Sequence, residues 1–490
     1  MPGHRVSGVP ARCADGRDDQ MAGFLLPPVP VRSFDEYLAT DTGGLGLQRA
    51  TEIGPRATIE EITRSGLRGR GGGGFPTGRK WAGVASQADE RRYLVCNGAE
   101  GEPGTFKDRA LLRANPYQLV EGLVIAAFAV DVSGAFIALK ASFTEELERL
   151  TAAVQEMQAA GICRDCTITI VRGPDEYLFG EEKALLEVIE GKSPLPRLFP
   201  PHEHGLFATD VHSGWEGSGR PPAGVAGGAN PTVVNNVETL SNVPHILARG
   251  ADWFRSMGTE RSPGTVVCTV VGDVARPGVA EVELGTPLRE AIDLAGGGPL
   301  PDRQVKAVFS GVANPVVTVE HLDVALAHDA FEAVGSGLGA AGFIVFDDTA
   351  CMVEVARQFS RFLYVESCGQ CPPCKRGSGE VTLRLQRIEA GTGTEDDIAE
   401  MVGWLDKVTD GNRCYLAVEE QLVVRSVLTA FPDEVARHLE LGRCPRPRPA
   451  PLAKLVDLRD GHATYDEDHP RKRPDWTYSD RPELLTEHDL

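Results

Sequence analysis

Three closely spaced cysteines, Cys368, Cys371 and Cys374, constrain this chain more than any other feature. Two residues separate each neighbouring pair, so a single loop can direct three sulfur atoms into one hollow. A [4Fe–4S] cluster needs four thiolates, and Cys414 is the natural fourth, because the helices predicted before it form a hairpin that returns the chain. A zinc site, a disulfide and chance spacing are the alternatives. Zinc sites usually use two cysteine pairs with longer gaps, and a disulfide needs an oxidising compartment.

Length and charge narrow the classes of protein to which the chain can belong. Its 490 residues correspond to about three domains. The formal net charge of −20 disfavours binding to nucleic acid and opposes an anionic membrane surface. No apolar run reaches the roughly 18 residues of a membrane span, and the first residues lack the pattern of a signal peptide. We therefore expect a cytoplasmic protein without direct membrane insertion, in which Cys163 and Cys166 are incidental thiols.

An alternation of strands and helices predicts the fold class of the first half. Residues 1–32 have little periodicity and are expected to be disordered, and an α/β domain follows over residues 33–250. Such alternation predicts a mostly parallel sheet covered by helices. A long surface insertion, rich in Gly, Ala, Pro and His, interrupts the pattern over residues 203–230. The predicted strands and helices are Arg92–Asn97, Tyr117–Val130, Ala135–Lys140, Phe143–Ala160 and Thr167–Val171.

A glycine-rich stretch over residues 66–81 is the first candidate binding loop. Gly69, Gly71 and Gly74 satisfy G-x-G-x-x-G, but a helix rather than a strand is predicted before them, so an ordinary dinucleotide fingerprint is not met. So many glycines still let backbone N–H groups approach a phosphate closely. Local positive charge comes from Arg68, Arg70, Arg79 and Lys80. The alternative is a flexible loop without a ligand.

Further candidate residues follow predicted strands. Asn97, Glu100 and Glu102 lie in a glycine-rich loop after a buried strand, where open α/β sheets bind ligands. A plain acidic turn is the alternative. Asn235 and Asn236 suit hydrogen bonds to a ring or a ribityl chain, and equally suit a helix cap. Two carboxylates, Glu181 and Glu182, are expected near the start of a helix, where the helix dipole alone would favour them.

The second half of the chain contains three regions with different predicted structures. Short strands and one helix predict a small mixed domain over residues 251–348. Helical periodicity over residues 349–442 predicts a bundle around the cysteine loop, and its first helix is expected at Met352–Glu366. The polar tail over residues 443–490 opens with alternating Pro and Arg. We expect it to lie extended on the surface or on a partner.

Five motifs occur here in the order that a known family shows. They are Arg68-Gly-Arg-Gly-Gly-Gly-Gly-Phe-Pro-Thr-Gly, Glu102-Pro-Gly-Thr-Phe-Lys-Asp-Arg, Gly180-Glu-Glu, Val234-Asn-Asn-Val-Glu-Thr and Glu366-Ser-Cys-Gly-Gln-Cys-Pro-Pro-Cys. Over roughly residues 33–442 the chain resembles the NADH-binding flavoprotein subunit of respiratory complex I and its relatives in NAD-linked formate dehydrogenases and hydrogenases. The resemblance implies a Rossmann-like FMN-binding domain, then a β-grasp domain of the SLBB type, then a helical bundle that binds a [4Fe–4S] cluster.

The resemblance also implies which residues bind the cofactors. The FMN contacts would be Gly69, Arg70, Gly71, Gly72, Gly74, Lys80, Asn97, Glu100, Tyr177, Gly180, Glu181, Asn235 and Asn236. NADH would contact Phe75 and the two catalytic candidates, Glu102 and Glu182. The cluster ligands would be Cys368, Cys371, Cys374 and Cys414. Four positions depart from the family pattern, which often has Asp, an aromatic residue, Lys and Phe in place of Ala99, Gly83, Phe199 and His202.

The implied function is the oxidation of NADH, with electrons leaving one at a time through the cluster. A nicotinamide gives two electrons as a hydride and a cluster accepts one, so a flavin is needed between them. The implied partner is a thioredoxin-like [2Fe–2S] subunit within a larger redox complex. Two other hypotheses stay open. One is a non-catalytic iron–sulfur scaffold or redox sensor whose nucleotide site has decayed, and the other is a flavoenzyme that uses NADPH.

Overall fold

The first sheet is parallel, as the strand-helix alternation predicts. The computed structural model describes residues 23–89, 91–163, 166–208, 228–448 and 450–482. In β1, Leu94, Val95 and Cys96 are fully buried, as is typical of a parallel strand covered on both faces. The strands, in spatial order β3-β2-β1-β4, are β1 (Tyr93–Asn97), β2 (Gly134–Lys140), β3 (Ile168–Gly173) and β4 (Thr232–Asn236).

Helices cover this sheet, and its strand order reverses at β1. The strand order reverses between β1 and β4, and Asn97 pairs in register with Asn236. A crevice forms at such a reversal, beyond the carboxyl ends of the strands. The helices of this part are α1 (Phe34–Leu38), α2 (Leu45–Ile53), α3 (Pro55–Ser65), α4 (Thr77–Ala85), α5 (Lys107–Ala114), α6 (Pro116–Val130), α7 (Thr144–Ala159), α8 (Glu182–Ile189), α9 (Val237–Arg249) and α10 (Ala251–Arg255), with a 3-10 turn at Tyr177–Gly180.

The second sheet is mixed and belongs to the small domain predicted after residue 250. β5 pairs antiparallel with β6 but parallel with β9, and β9 pairs antiparallel with β7. A helix packed on a mixed sheet of this kind agrees with the predicted β-grasp domain. The elements are β5 (Thr265–Gly272), β6 (Gly278–Glu283), α11 (Leu288–Gly296), β7 (Val305–Ser310), β8 (Val317–Thr318), α12 (His328–Ala333) and β9 (Gly342–Asp347), with a 3-10 turn at Val319–His321.

A helical bundle follows, and the cysteine loop lies between its first two helices. The first helix has the bounds that the sequence predicts, Met352–Glu366, and its apolar face is buried. None of the helices that the structure describes is long and apolar enough to cross a membrane. The helices are α13 (Met352–Glu366), α14 (Pro372–Glu389), α15 (Glu395–Leu405), α16 (Leu416–Ala430) and α17 (Pro432–Leu441).

Both ends of the described chain differ from what the sequence predicts. The expected disorder over residues 1–32 is wrong for residues 23–32, because Leu25 is fully buried and its N–H donates to Glu281 Oε2 at 2.8 Å. The tail is not extended. It forms an antiparallel hairpin, β10 (Leu455–Arg459) and β11 (His462–Tyr465), and a 3-10 turn at His469–Arg471. Residues 1–22 and 483–490 lie outside the described residues, as does 209–227 of the predicted insertion.

Candidate flavin and iron–sulfur sites

Asparagines line the crevice at the ends of β1 and β4. Asn97 Nδ2 donates to the carbonyl of Gly180 at 2.7 Å, which ties the end of β1 to the 3-10 turn. Asn235 Oδ1 accepts from the Trp81 indole N–H at 2.8 Å. The side chain of Asn236 also caps α9, because its Oδ1 accepts from the N–H of Glu238 at 2.9 Å. The helix cap expected for this pair therefore occurs at Asn236, whereas hydrogen bonds from the pair to a ring or a ribityl chain stay a prediction.

The glycine loop lies over this crevice. A Cβ atom at Gly71 would stand 3.2 Å from the Cβ of Asn236, whereas one at Gly73 would meet nothing within 4 Å. Gly72 and Gly74 have φ angles of 113° and 57°, which favour glycine over any other residue. A side chain at position 71 would therefore press against Asn236 at the end of β4.

The glycine loop ends at Thr77, whose hydroxyl group can hydrogen-bond an oxygen-rich ligand. Thr77 opens α4, directly after the glycine loop, and is 1% exposed. Its Oγ1 is buried without a hydrogen-bond partner among the described residues. A buried, unpaired hydroxyl at a helix start is costly unless a ligand bonds it, and a helix N-terminus favours phosphate. The glycine cradle, the asparagines and this hydroxyl fit the phosphate and polar edge of a flavin mononucleotide.

The basic residues predicted around the loop divide into two groups. Lys80 stays at the crevice, where its Nζ donates to the carbonyl of Val234 at 3.1 Å and lies 3.4 Å from Glu182 Oε2. Arg70 is 4% exposed and turns away, because its guanidinium donates to the carbonyl of Thr265 at 2.8 Å. The side chain of Arg70 thus joins the flavin-type domain to the next domain, and only its backbone remains in the loop.

Buried carboxyl groups surround the crevice. Glu100 accepts from the N–H groups of Asp108 and Arg109, each at 3.2 Å, and burial together with Asp108 raises its pKa to about 7. Glu181 caps α8 by accepting from the N–H groups of Lys183 and Ala184, each at 2.9 Å. Burial raises the pKa of Glu181 to about 7 as well. A carboxyl group with such a pKa can act as a hydrogen-bond donor or acceptor near neutral pH.

Glu102 and Glu182 occupy different environments. Glu182 is open at the rim, with a side chain 42% exposed. Glu102 is held by the N–H of Val312 at 2.8 Å and by the hydroxyl of Tyr177 at 3.2 Å, and burial raises its pKa to about 7. The same hydroxyl lies 3.2 Å from both oxygens of Glu419 in the helical bundle. Tyr177 therefore connects the crevice to the cluster domain.

The four cysteines predicted as cluster ligands line one cavity. Cys371 is the N-cap of α14 and Cys374 lies in its first turn, while Cys414 precedes α16. Burial, together with the neighbouring thiols, raises the pKa of Cys374 to about 12, and burial raises the pKa of Cys414 further. Metal binding replaces the protons of cysteine thiols, and four thiolate donors fit a [4Fe–4S] cluster. The cavity is lined by Leu178, Ser367, Cys368, Gly369, Cys371, Cys374, Asn412, Arg413, Cys414, Leu416 and Ala417.

The structure also brings in residues that the sequence does not single out. Lys107 is 1% exposed, and its Nζ lies 2.8 Å from Asp108 Oδ1 and 2.9 Å from Glu238 Oε2. The same Nζ donates to Asn236 Oδ1 at 3.2 Å, so this lysine holds the end of β4. The one feature of the sequence that could have pointed to Lys107 is its place in the second family motif. Its partners on β4 and α9 lie about 130 residues away in the sequence, and only the fold shows them.

Comparison with known proteins places these sites in a family. The family model described as Nuo51 FMN-binding domain matches residues 62–245. The SLBB domain matches residues 267–312, and the NADH-ubiquinone oxidoreductase-F iron-sulfur binding region matches residues 354–438. An F subunit of NADH-quinone oxidoreductase from Rhizobium meliloti (strain 1021) is 39% identical, over 86% of this chain and 100% of the relative. The chain belongs to the F-subunit family of NADH-quinone oxidoreductases.

Other relatives of the F-subunit family show how widely this architecture is used. The F subunit of NADH-quinone oxidoreductase from Streptomyces coelicolor is 40% identical, over 86% of this chain and 93% of the relative. NADP-reducing hydrogenase subunit HndC of Solidesulfovibrio fructosivorans is 34% identical, over 86% of this chain and 83% of the relative. A crystal structure of NAD+-reducing [NiFe]-hydrogenase in the H2-reduced state matches with a TM-score of 0.71 and 33% identity, covering 86% of this chain and 69% of that chain.

Membership of the F-subunit family confirms several expectations from the sequence. The chain is an electron-input subunit that uses FMN and a [4Fe–4S] cluster, and its fold is the predicted series of FMN-binding, SLBB and iron–sulfur regions. Its relatives are named as subunits, so a larger redox assembly is supported as well.

Proposed function

We propose that this chain takes a hydride from NADH at the crevice between β1 and β4 and passes electrons singly to a partner subunit. One observation carries the proposal. The 3-10 turn Tyr177–Gly180 serves both sites, because the carbonyl of Gly180 bonds Asn97 at the crevice and Leu178 lines the cysteine cavity. FMN accepts the hydride and the cluster carries single electrons. Because Leu178 and Gly180 lie in one turn of four residues, the two sites are neighbours, as electron transfer between them would require.

The residue roles follow from positions around the crevice. Gly71 and Thr77 would receive the FMN phosphate, with Lys80 nearby. Arg70 would contribute its backbone alone, because its guanidinium is bound in the domain interface. The remaining proposed FMN contacts are Gly69, Gly72, Gly74, Asn97, Glu100, Tyr177, Gly180, Glu181, Asn235 and Asn236.

The proposed NADH residues lie on the open side of the crevice. Phe75 is 50% exposed at the end of the glycine loop, with the Arg79 guanidinium 5.7 Å from its ring centroid, and the other face of the ring would stack on the nucleotide. Glu182 can accept hydrogen bonds from ribose hydroxyl groups. Glu102, whose oxygens are already bonded to Val312 and Tyr177, would support the site by fixing Tyr177. Catalysis by these residues consists of orienting the nicotinamide and keeping water away, because hydride transfer needs no general base.

The surface that we propose for the partner subunit lies at the cysteine loop. Gly369, Gln370 and Pro372 are exposed, so the cavity of the four cysteines lies just beneath the surface. The acceptor that we propose at this surface is a thioredoxin-like [2Fe–2S] subunit of a cytoplasmic redox complex, which would dock by its own cluster. The ligands that we propose for the cluster beneath it are Cys368, Cys371, Cys374 and Cys414.

A matched pair of glycine substitutions tests the proposed FMN site. In Gly71→Val the new side chain would fill the space beside Asn236, whereas in Gly73→Val it would face open space. We expect Gly71→Val to bind FMN at least about tenfold more weakly, a loss of about 1.4 kcal/mol in binding free energy, and to lose NADH-ferricyanide activity to a similar extent. Gly73→Val should stay near wild type in both. Flavin released by heat and separated by chromatography measures occupancy and distinguishes FMN from FAD.

Two outcomes would contradict the assignment. Equal FMN content in both variants would exclude the glycine loop from the flavin site. FMN-loaded wild-type protein that NADH does not reduce would instead support the scaffold or redox-sensor hypothesis, which the departures at Ala99, Gly83, Phe199 and His202 motivate.

A further inference from the structure

A second group of metal-binding side chains lies where the helical bundle begins and ends. Cys351 is the N-cap of α13, His438 lies in α17, and Cys444 follows that helix. Their exposed fractions are 1%, 0% and 9%, and their ligand atoms all lie within 4.8 Å of one another. Cys351 Sγ and His438 Nε2 are 3.3 Å apart. Among the residues that the structure describes, no other three side chains of Cys, His, Asp or Glu are found with their ligand atoms this close together.

The tautomer of His438 prepares its ring for a metal. Nδ1 lies 2.6 Å from the carbonyl oxygen of Glu434, and because a carbonyl oxygen can only accept, Nδ1 carries the proton. In the neutral ring Nε2 then keeps a free lone pair, and it points at Cys351. Metal-binding histidines are commonly oriented in this way, by a hydrogen bond from the second ring nitrogen to a carbonyl oxygen.

We propose that Cys351, His438 and Cys444 bind a Zn²⁺ ion. Zn–S and Zn–N bonds of about 2.3 and 2.0 Å at a tetrahedral angle place sulfur and nitrogen about 3.5 Å apart. The observed separation of 3.3 Å is close to this value. Two soft thiolates and one imidazole favour zinc over magnesium or calcium, and a water molecule would complete the tetrahedron.

Charge and surroundings agree with this ion. Two thiolates and a neutral imidazole balance the charge of Zn²⁺, so the complex as a whole would be neutral in an apolar core. Without a metal, burial raises the pKa of Cys351 and of Cys444 and leaves both as thiols. Glu434 positions the helix ends, because its Oε2 accepts from the N–H of Met352 at 3.0 Å while its carbonyl oxygen holds His438.

The zinc site is separate from the cluster. Cys351 and Cys368 lie at opposite ends of α13, whose 15 residues span about 22 Å at 1.5 Å per residue. The ion would join the segment that leaves β9 to the segment that follows α17. It would fix the frame of the bundle without taking part in electron transfer.

Metal analysis of anaerobically purified protein tests the proposal. We expect about one zinc per chain in addition to the cluster iron. Cys351→Ser and Cys444→Ser should each lower zinc content about tenfold or more, with FMN and cluster iron unchanged. Cys268→Ser is the matched control, because this cysteine is also fully buried but lies in the SLBB region, and it should retain zinc.

A second measurement uses wild-type protein, in case the serine variants do not fold. Zinc is removed with a chelator and Co²⁺ alone is added, which should produce a thiolate-to-cobalt absorption band. Absence of zinc together with absence of this band would overturn the proposal. So would a Cys351–Cys444 disulfide in the anaerobic protein, zinc retained in both folded serine variants, or iron in this site in place of zinc.

Discussion

At the residue scale, we propose that the donor nucleotide is selected at the rim of the crevice. Glu182 and Lys80 form a 3.4 Å ion pair whose side chains are 42% and 30% exposed. Such an exposed pair contributes little to stability, and we propose that it serves nucleotide recognition instead. The carboxylate can accept hydrogen bonds from the ribose hydroxyls of NADH and would repel the extra phosphate of NADPH. A relative that reduces NADP, 34% identical, shows that the architecture itself does not decide between the two nucleotides.

Replacing Glu182 with Gln tests this selection. The change removes the repulsion and frees Lys80, so NADH should bind about fivefold more weakly and the preference over NADPH should narrow. Stopped-flow reduction of the flavin by each nucleotide measures the ratio. Glu148→Gln, an exposed carboxylate on α7, is the charge-matched control. An unchanged ratio with unchanged FMN content would mean that Glu182 only stabilises the start of its helix, an effect of about 0.3–1 kcal/mol.

Arg70 shows that the position of a residue in a motif does not reveal which groups its side chain contacts. The sequence places it in a glycine-rich loop beside three other basic residues, which favours a phosphate contact. Its guanidinium instead reaches the carbonyl of Thr265 and lies 3.7 Å from Glu238 Oε1. These partners lie about 170 and 195 residues further along the chain, so only the packing of two domains brings them to Arg70. By contrast, the need for glycine in this loop could be predicted, because the positive φ angles at Gly72 and Gly74 are a local property of the backbone.

At the element scale, the C-terminal segment is the largest departure from expectation. Lys472 and His469 are each 2% exposed, and their side chains meet Glu366 at 2.9 and 3.0 Å. Glu366 is fully buried at the end of α13, and these partners hold its pKa well below its usual range. Its other oxygen accepts from the N–H of Tyr177 at 3.0 Å. The tail thus packs against the end of α13, where Glu366 also bonds the 3-10 turn.

The sequence could not predict this packing for a physical reason. The tail is mostly polar, with no strong periodicity. Its apolar contacts with the bundle, among them Ala450, Ala453 and Trp476, are scattered along the chain and act together with buried ion pairs. Helix α13 could be predicted to the residue, because its apolar periodicity is local and it ends at the cysteine loop. The interaction of Lys472 with Glu366 joins residues 106 positions apart, which leaves no trace in either local pattern.

Replacing Lys472 with Met tests the importance of the tail. The change leaves Glu366 buried without its main cation, which should lower the free energy of unfolding by about 3 kcal/mol. We expect cluster absorbance to be lost at a lower denaturant concentration than in wild type. The exposed Lys407→Met is the control. Combining Lys472→Met with Glu366→Gln should recover part of the loss. If Lys472→Met behaves like the control, the ion pair does not stabilise the bundle.

At the scale of the whole molecule, two cofactor sites in different domains share one short turn. The crevice lies at the edge of the parallel sheet, the cysteine cavity lies in the bundle, and Tyr177 bonds Glu102 on one side and Glu419 on the other. The order of domains could be predicted from the order of the motifs. The contact between the sites could not, because it depends on how the bundle packs against the 3-10 turn.

The most direct test of electron input is rapid anaerobic mixing of wild-type protein and Cys374→Ser with NADH. Flavin absorbance and freeze-quenched electron paramagnetic resonance are followed together. In wild type, the flavin should be reduced first and the cluster signal should follow. In Cys374→Ser, we expect flavin reduction and part of the NADH-ferricyanide activity to persist without a normal cluster signal, because the two sites lie in different domains. Loss of both chromophores in a folded variant, or a wild-type flavin that neither NADH nor NADPH reduces, would contradict this account.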